Sequence, residues 1–370
     1  MAYYGIDIHS DSATCAMIKN ERRQHDIKIF SCPVFGAGFE RFLKGLAEQD
    51  VILIEATTLS FWFYDQVKDK ARDCYILNSN KLTVQGNKTD KIDATRLVKI
   101  LAYNELMTTD PAELPYIYVP SEGVRELRGM FTTYRLNQKM LTQSMNRIHS
   151  VFKQNGMKID RKSLSSKKFR ENELLTYRLP SVWMAQVVSL VNTIDALEIE
   201  KKQIKDLICF EGYKLFPKQV TNLISIKGFS PLTAVALMAD VATIDRFSNS
   251  KRFCSYLRTA PRITASNATV HLGRINKQGR SLTCTLLTQS VVHLSSAGIH
   301  FTEFKERIKK GKRPCTVRMA VIRKILVSAY HMLKRDQLFH WVDEKSYERK
   351  LTELHRAVKK YEKTEKKEIA

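Results

Sequence analysis

The pattern of apolar and polar positions divides the first hundred residues into short strands and helices. Three segments near the start favour strands and are separated by short polar turns, which predicts an antiparallel meander. The continuous apolar run "VILIEA" predicts a strand that is covered on both faces. Helical spacing follows each of the later strands. The predicted strands are 2–8, 12–18, 25–31, 51–56 and 74–78, and the predicted helices are 39–49, 59–71 and one that begins near 88 and ends near 105.

The rest of the chain is predicted to be mainly helical up to about residue 341. Segments 122–152 and 179–210 have helical spacing, which predicts an antiparallel coiled-coil pair or a helix partner in a dimer. The basic segment between them, "KIDRKSLSSKKFRE", is interpreted as a mobile loop. The fold class is therefore α/β plus all-α. The predicted domains are 1–108 (catalytic), 120–212 (helical linker or dimerisation region) and 216–341 (C-terminal helical domain). They are followed by a charged tail at 342–370, which is interpreted as either a solvated helix or a frayed end.

The composition of the chain indicates what kind of partner the protein binds. Lysine and arginine number 61 against 38 acidic residues, and the net charge of +23 predicts a polyanionic partner, most plausibly nucleic acid. The seven cysteines show neither metal nor disulfide spacing, which indicates a reducing cytosol. No apolar run approaches the roughly 20 residues of a membrane span, and the start lacks a signal-peptide pattern. We therefore expect a cytoplasmic protein without a membrane partner.

Four acidic residues stand at positions where an α/β fold gathers ligands. Asp7 lies within the first strand and points to the face opposite its isoleucine neighbours. Glu55 ends an apolar strand, and ligand sites in such sheets lie at the carboxyl ends of strands. Asp90 and Asp93 share one face of the helix that begins there, with Cβ atoms roughly 5–6 Å apart. Converging, the four would form an oxygen cage suited to Mg²⁺, which in a nucleic-acid enzyme indicates two-metal phosphoryl transfer.

Simpler interpretations exist for each of these features. Asp90 as N-cap and Asp93 as an acid of the first turn would stabilise the helix without any metal. The run "FWFY" (61–64) favours core packing over a base-stacking platform. The nine histidines form no spaced ligand pair, so none is assigned a role.

A glycine turn in "IKGFSPLTA" separates two predicted helices. It fits a helix-hairpin-helix whose backbone N–H groups, with Lys227 and Gly228, bind a phosphate. It fits a plain helical hairpin equally well.

Several of these segments resemble the DEDD transposases of insertion sequences. The catalytic domain of that family is similar to the Holliday-junction resolvase (RuvC-like) branch of the ribonuclease H fold. The last third of the chain resembles the family's C-terminal transposase domain, so that the resemblance covers nearly everything except the charged tail. The strings that carry it are "YGIDIHSDSATCAMI", "VILIEAT", "NKTDKIDATRLVKIL", "LISIKGFSPLTAVALMADV", "RFSNSKRFCSYLRTAPR" and "GRINKQGR".

The resemblance implies roles for particular residues. The four acids, Asp7, Glu55, Asp90 and Asp93, fall on the family's metal-binding carboxylates. A serine between the "APR" and "GRI.K.G" segments is described in the family as a nucleophile that becomes covalently linked to DNA, and Ser266 is the matching residue.

The chain departs from the family pattern near that serine. Asn267 stands where the family usually has glycine, and Arg258 and Thr259 stand where it has glycine and a small apolar residue. These departures weaken the serine assignment more than the carboxylate assignment, and they leave open whether this copy is active.

The resemblance further implies excision and integration of an insertion sequence, Mg²⁺ as cofactor, a structured guide RNA, and a homodimer or tetramer. Two rival functions remain open: a Mg²⁺-dependent junction endonuclease that uses water, and a non-catalytic nucleic-acid binder descended from a transposase. The predicted nucleic-acid contacts are Lys88, Lys227, Gly228, Arg262, Arg274, Lys277 and Arg280.

Overall fold

The computed structural model describes residues 1–19, 26–79, 89–106, 114–266 and 269–369. The chain divides into two compact units, Met1–Pro120 and Ser121–Ala370. Unit 1 is mixed α/β, and unit 2 is mainly helical.

Unit 1 contains a five-stranded mixed sheet. The strands are β1 (Ala2–Ile8), β2 (Ser12–Lys19), β3 (Ile27–Pro33), β4 (Val51–Glu55) and β5 (Asp73–Leu77), and the helices are α1 (Gly36–Lys44), α2 (Ser60–Val67) and α3 (Asp90–Leu106). The strand order is β3-β2-β1-β4-β5. The first three strands form the antiparallel meander that the sequence predicts. β4 runs parallel to β1, and β5 runs parallel to β4.

Helices cover both faces of this sheet, so the central strands are apolar on both sides. On one face, Ile6 packs in a cluster with Phe63 of α2. On the other face, Leu53 packs in a cluster with Leu101 of α3. A Cβ atom on Gly5 would collide with the backbone of α3, so the glycine allows that helix to lie directly on β1. Because side chains alternate along a strand, Asp7 lies on the same side as Gly5 and therefore faces α3.

Unit 2 begins with two long antiparallel helices, α4 (Glu122–Gln154) and α5 (Ser181–Leu215). The link between them is packed rather than mobile, which corrects the interpretation of its basic sequence. Arg170 is fully buried; its guanidinium binds the carboxylates of Asp195 at 2.6 Å and Glu198 at 2.6 Å and donates to the Leu164 carbonyl at 2.8 Å. The ion pairs of Arg170 therefore hold the link against α5.

The remaining helices pack into a core that also includes parts of α4 and α5. The predicted domains 120–212 and 216–341 contribute apolar residues to this shared core of unit 2. A two-stranded antiparallel hairpin lies where mainly helical structure is expected, and its strands contain the β-branched residues Ile263, Thr264, Thr269 and Val270, which favour strands. The further elements are α6 (Pro217–Ile224), α7 (Pro231–Val241), α8 (Ser250–Tyr256), β6 (Pro261–Ser266), β7 (Thr269–Ile275), α9 (Leu282–Gln289), α10 (Val291–Leu294), α11 (Ile299–Lys309), α12 (Pro314–Arg335) and α13 (Glu344–Ile369).

The segment interpreted as a charged tail is an amphipathic helix with a buried face. Leu354 and Val358 of α13 are buried in the unit 2 core. Lys350 is also buried, and its Nζ donates to the carbonyl oxygens of Ile224 at 2.7 Å and Ile226 at 2.9 Å. The few apolar residues of α13 recur at helical spacing among its many charged residues, so they form one face that packs on the core.

Among the described residues, one helix, α5, is long and apolar enough to cross a membrane by length and composition alone. Core helices of soluble proteins pass the same test. The N-terminal half of α5 buries Val187, Val191 and Ile194 in a cluster shared with α4.

Candidate active site

Two of the predicted acids lie side by side at one edge of the unit 1 sheet. β1 and β4 are parallel and pair up to Ile6 and Ile54, so the next step along the ladder places Asp7 beside Glu55. The Asp7 side chain is only 10% exposed. Glu55 is half-buried, and its Oε1 accepts a hydrogen bond from the Ser79 hydroxyl. Parallel pairing thus brings together two residues that are 48 positions apart.

The other two acids begin helix α3, and neither acts as its N-cap. The Thr89 side chain takes that role, because its Oγ1 accepts a hydrogen bond from the Ile92 N–H at 3.3 Å. Asp90 is the first helical residue, and Asp93 follows one turn later, with its N–H donating to the Thr89 carbonyl. The interpretation of Asp90 as a cap is therefore wrong, and its carboxylate stays available for another partner.

His9 joins the strand to the helix, a role that the sequence analysis did not assign to any histidine. Its Nε2 lies 3.3 Å from Asp7 Oδ2 and 3.3 Å from Asp90 Oδ2. Residues two apart in an extended chain share a face, so the spacing Asp7–Ile8–His9 contained this information. It was missed because the second partner, Asp90, is brought near only by the fold.

The pKa of Asp7 is affected by its burial and by the charges around it. Burial raises the pKa of Asp7; the neighbouring His9 opposes that rise, while the negative charges of Glu55, Asp90 and Asp93 add to it. Like charges in a poorly hydrated place repel each other, and a bound cation relieves the repulsion.

The cluster has the donor atoms of a divalent-cation site. One ligand atom each from Asp7, His9 and Asp90 lies within 4.8 Å of the other two. Carboxylate oxygens suit Mg²⁺ and Mn²⁺. Glu55 and Asp93 act electrostatically on the Asp7 carboxylate but do not belong to this group of three ligand atoms.

Ser266 lies in unit 2, at the end of the β6–β7 hairpin. It is the last residue of β6 and pairs with Thr269. Asn267 lies outside the described residues. Arg258 adopts a left-handed conformation with φ of 57°. Glycine accepts that conformation without strain, so a glycine would fit the backbone at this position.

The predicted cationic residues of unit 2 fall into two groups. Arg262, Arg274 and Lys277 are exposed on and beside the hairpin. Arg280 is engaged within the fold, since its Nε donates to the fully buried carboxylate of Asp240 at 2.9 Å. Lys88 lies outside the described residues.

The glycine turn between α6 and α7 has the geometry of a type II turn. The Phe229 N–H donates to the Ile226 carbonyl at 3.1 Å, and Gly228 has φ of 91°. A Cβ at that position would lie 2.9 Å from the Leu294 nitrogen, so packing also requires glycine. The Nζ atom of Lys227 lies 3.8 Å from Oδ2 of Asp343. Both the phosphate-binding hairpin and the plain helical hairpin are compatible with this turn.

Together, the fold and its sites describe a basic protein with a carboxylate–histidine cluster in an α/β unit and a helical second unit. Residues 220–309 match the family model described as "Transposase IS116/IS110/IS902 family". The matched stretch runs from α6 to the end of α11 and includes Ser266. This match supports an insertion-sequence transposase. No curated protein matches the chain significantly.

Proposed function

We propose that this protein is a Mg²⁺-dependent recombinase of an insertion sequence, and that Asp7, Glu55, Asp90 and Asp93 hold two metal ions. The observation that carries the proposal is the cluster of Asp7, His9 and Asp90, whose ligand atoms lie within 4.8 Å of one another, in a chain whose residues 220–309 match a transposase family model. The strand order, with an antiparallel meander followed by two parallel strands, supports a ribonuclease H-like, RuvC-like unit.

The residues of the two units divide the chemistry. The carboxylates of Asp7, Glu55, Asp90 and Asp93 would hold Mg²⁺, which would supply positive charge to the reacting phosphate group. Ser266 is the proposed nucleophile: its hydroxyl loses its proton, its oxygen bonds to phosphorus, and a DNA oxygen leaves and takes up a proton. Attack by another DNA hydroxyl on the serine phosphodiester reverses these steps and rejoins the strand.

In this proposal the exposed cationic residues of unit 2 bind nucleic acid. The exposed Arg262, Arg274 and Lys277 contact phosphates of the DNA. A structured guide RNA supplies sequence by base pairing, while the protein recognises the shape and backbone of the duplex. The long helix pair α4–α5 supports assembly into a homodimer or tetramer. The proposed location of the protein is the cytoplasm.

The carboxylate assignment is tested with full-length protein, the structured RNA transcribed from the flanking region of the element, and DNA that contains the two ends of the insertion sequence. With Mg²⁺, we expect strand cleavage and a protein–DNA adduct that survives denaturation. Asp7→Asn should lose both but still bind the DNA, whereas Asp69→Asn, at an exposed acid on the surface of unit 1, should keep both. Cleavage by Asp7→Asn at the wild-type rate would contradict the proposal.

The serine is tested by Ser266→Ala, with Ser248→Ala, at an exposed serine of the same unit, as the matched control. We expect adducts from the control alone. Cleavage by Ser266→Ala without an adduct would favour the junction endonuclease that uses water. Binding without cleavage under every divalent metal by the wild-type protein would favour the non-catalytic binder.

A further inference from the structure

We propose that His9 is a direct nitrogen ligand of the metal, and that it raises the affinity of the cluster for ions that accept an imidazole, such as Mn²⁺, more than its affinity for Mg²⁺. This rests on the proposed function only in taking the four-acid cluster as a cation site. It adds a fifth ligand that the acidic pattern does not contain.

The position of the imidazole carries the inference. Its Nε2 lies 3.3 Å from one oxygen of Asp7 and 3.3 Å from one oxygen of Asp90. Ligands on adjacent corners of an octahedral ion with bonds of about 2.1–2.3 Å stand about 3 Å apart. Each of these two nitrogen–oxygen distances is therefore close to the separation that a shared ion imposes, and all three donor atoms lie within 4.8 Å of one another.

The burial of the cluster is graded in a way that suits an ion arriving from solvent. The Asp7 side chain is 10% exposed, His9 is 47% exposed and Asp90 is 60% exposed. Among the described residues, His9 is the one neighbour seen in polar contact with the nearly buried Asp7 carboxylate. An ion bound between the three replaces lost water at the buried end and keeps its own water at the exposed end.

Ligand chemistry then determines the preference. Mg²⁺ binds oxygen and gives up its water reluctantly. First-row transition ions bind imidazole readily, and their affinities rise along the series from Mn²⁺. Carboxylates alone would serve either class of ion, so His9 is the group that separates them.

A different role for His9 leads to the opposite expectation. As a protonated imidazolium, it would hold the acids together only while no metal is bound, and an arriving ion would have to displace it. Its removal would then strengthen metal binding or leave it unchanged, whereas removal of a ligand weakens it.

Pulsed electron paramagnetic resonance on the full-length protein loaded with Mn²⁺ distinguishes these roles directly. We expect modulation from one directly bound ¹⁴N nucleus, at about pH 8, where an ordinary histidine is neutral. His9→Gln should lose that modulation. His293→Gln, at an exposed histidine of α10, should keep it. Labelling with ¹⁵N-histidine should shift the pattern in the wild-type protein.

Affinities measured on the same samples test the selectivity. His9→Gln should bind Mn²⁺ about tenfold more weakly, and Mg²⁺, measured by competition, should change less than about threefold. Circular dichroism of each variant shows whether it is folded. In case His9→Gln does not fold, His9→Asn and the ¹⁵N pattern of the wild-type protein provide the same test.

Mn²⁺ that binds to wild-type protein without nitrogen coupling would overturn the inference, and so would undiminished Mn²⁺ affinity in His9→Gln. The outcome is separable from the proposed function. Nitrogen coupling together with no DNA cleavage would contradict the recombinase and leave the His9 ligand standing. Cleavage that depends on Asp7, without nitrogen coupling, would do the reverse.

Discussion

Asp7 carries a charge where the fold leaves it little water and surrounds it with like-charged neighbours. Such a position costs stability in the absence of a cation. Residues that are kept at such a cost are candidates for function. Its neighbours Ile6 and Ile8 fill the apolar core, so a neutral residue at position 7 would satisfy the fold equally well.

Asp7→Asn should therefore stabilise the metal-free protein. The folded state raises the pKa of Asp7, so it holds the proton more tightly than the unfolded chain does. Stability then falls as pH rises from the ordinary aspartate range through the raised pKa, and the loss persists at neutral pH. We expect Asp7→Asn to gain about 1 kcal/mol at neutral pH in EDTA, and to lose most of the stabilisation that divalent ions give the wild-type protein.

Thermal unfolding across pH, with and without divalent ions, measures both effects. Asp69→Asn serves as the control, because that exposed acid has no place in the cluster. Identical pH profiles for wild type and Asp7→Asn in EDTA would show that the carboxylate is not strained as described.

The sequence was enough to place Asp7 and Glu55 on strands and Asp90 and Asp93 in the first turn of a helix, because strand alternation and the i, i+3 rule are local. It was not enough for His9: one of its partners, Asp7, is near in the chain, whereas the other, Asp90, lies on a helix more than 80 residues away. Nor could the sequence decide between Thr89 and Asp90 as the N-cap of that helix, since both are good capping residues and only the observed hydrogen bond to Thr89 distinguishes them.

At the level of elements, α3 reaches the cluster because one residue of β1 has no side chain. The backbone of Ala94 and Val98 occupies the space where a Cβ of Gly5 would stand. That contact fixes the height of the helix above the sheet, and so the distance from its first-turn acids to Asp7.

Gly5→Ala should push α3 away from the sheet, since backbone atoms cannot yield as flexible side chains do. We expect a loss of about 2–4 kcal/mol of stability, as for other overpacked cores, and weaker binding of divalent ions. Chemical unfolding measures the stability, and metal titration measures the affinity for divalent ions. Gly45→Ala is the matched control, because its Cβ would come no closer than 3.4 Å to its neighbours. Full metal affinity in Gly5→Ala would contradict this account of how α3 is placed.

Helix α13 supports the turn between α6 and α7 through Lys350. Burial lowers the pKa of Lys350 to about 8, and nearby positive charges assist. The Lys350 ammonium nevertheless donates to two buried carbonyl oxygens. These hydrogen bonds offset part of the free energy that burying the charge costs.

The protein should therefore become more stable between about pH 8 and the ordinary lysine range. In that interval the unfolded chain still binds the proton while the folded state releases it, so stability rises with pH. Compared with Lys350→Met, the wild-type protein should gain about 1–2 kcal/mol over this interval, as measured by urea unfolding. Lys345→Met, at an exposed lysine of the same helix, should follow the wild type. Parallel profiles for wild type and Lys350→Met would rule out this titration.

Among the elements, the long helices and the meander could be predicted, because their periodicity is strong. The β6–β7 hairpin could not, since a two-stranded ribbon has no core face to create a clear pattern. The link containing Arg170 looked mobile because its charges suggest solvent, whereas the carboxylates that bind Arg170 lie on the next helix.

At the scale of the molecule, the charge of +23 makes nucleic-acid binding sensitive to salt. Each neutralised phosphate contributes about 0.9 to the slope of log affinity against log salt on duplex DNA. Simultaneous replacement of Arg262, Arg274 and Lys277 by alanine should therefore weaken binding and reduce that slope by about 2–3.

Binding titrations over a range of potassium chloride concentrations provide the slope. The control removes three exposed charges from α13, at Lys345, Arg356 and Lys359, and leaves the net charge of the two triple variants equal. Equal slopes for both triple variants would show that overall charge, and not the hairpin, governs binding.

Domain organisation was the hardest feature to predict. An apolar stripe shows that a helix packs against something but not against what, so α4 and α5 resembled a separate linker. Leu127 and Phe131 of α4 instead belong to the same core as α7 and α12. The sparse apolar positions of α13 were similarly hidden among its charges.

The parallel pairing of β1 with β4 has a consequence for how this protein can change over time. The gap between Asp7 and Glu55 is set by one rung of backbone hydrogen bonds, not by the length of chain that joins them. Insertions or deletions around α1 can therefore accumulate without moving the two carboxylates, whereas a shift of register by a single residue would carry Glu55 to the opposite side of the sheet and separate them.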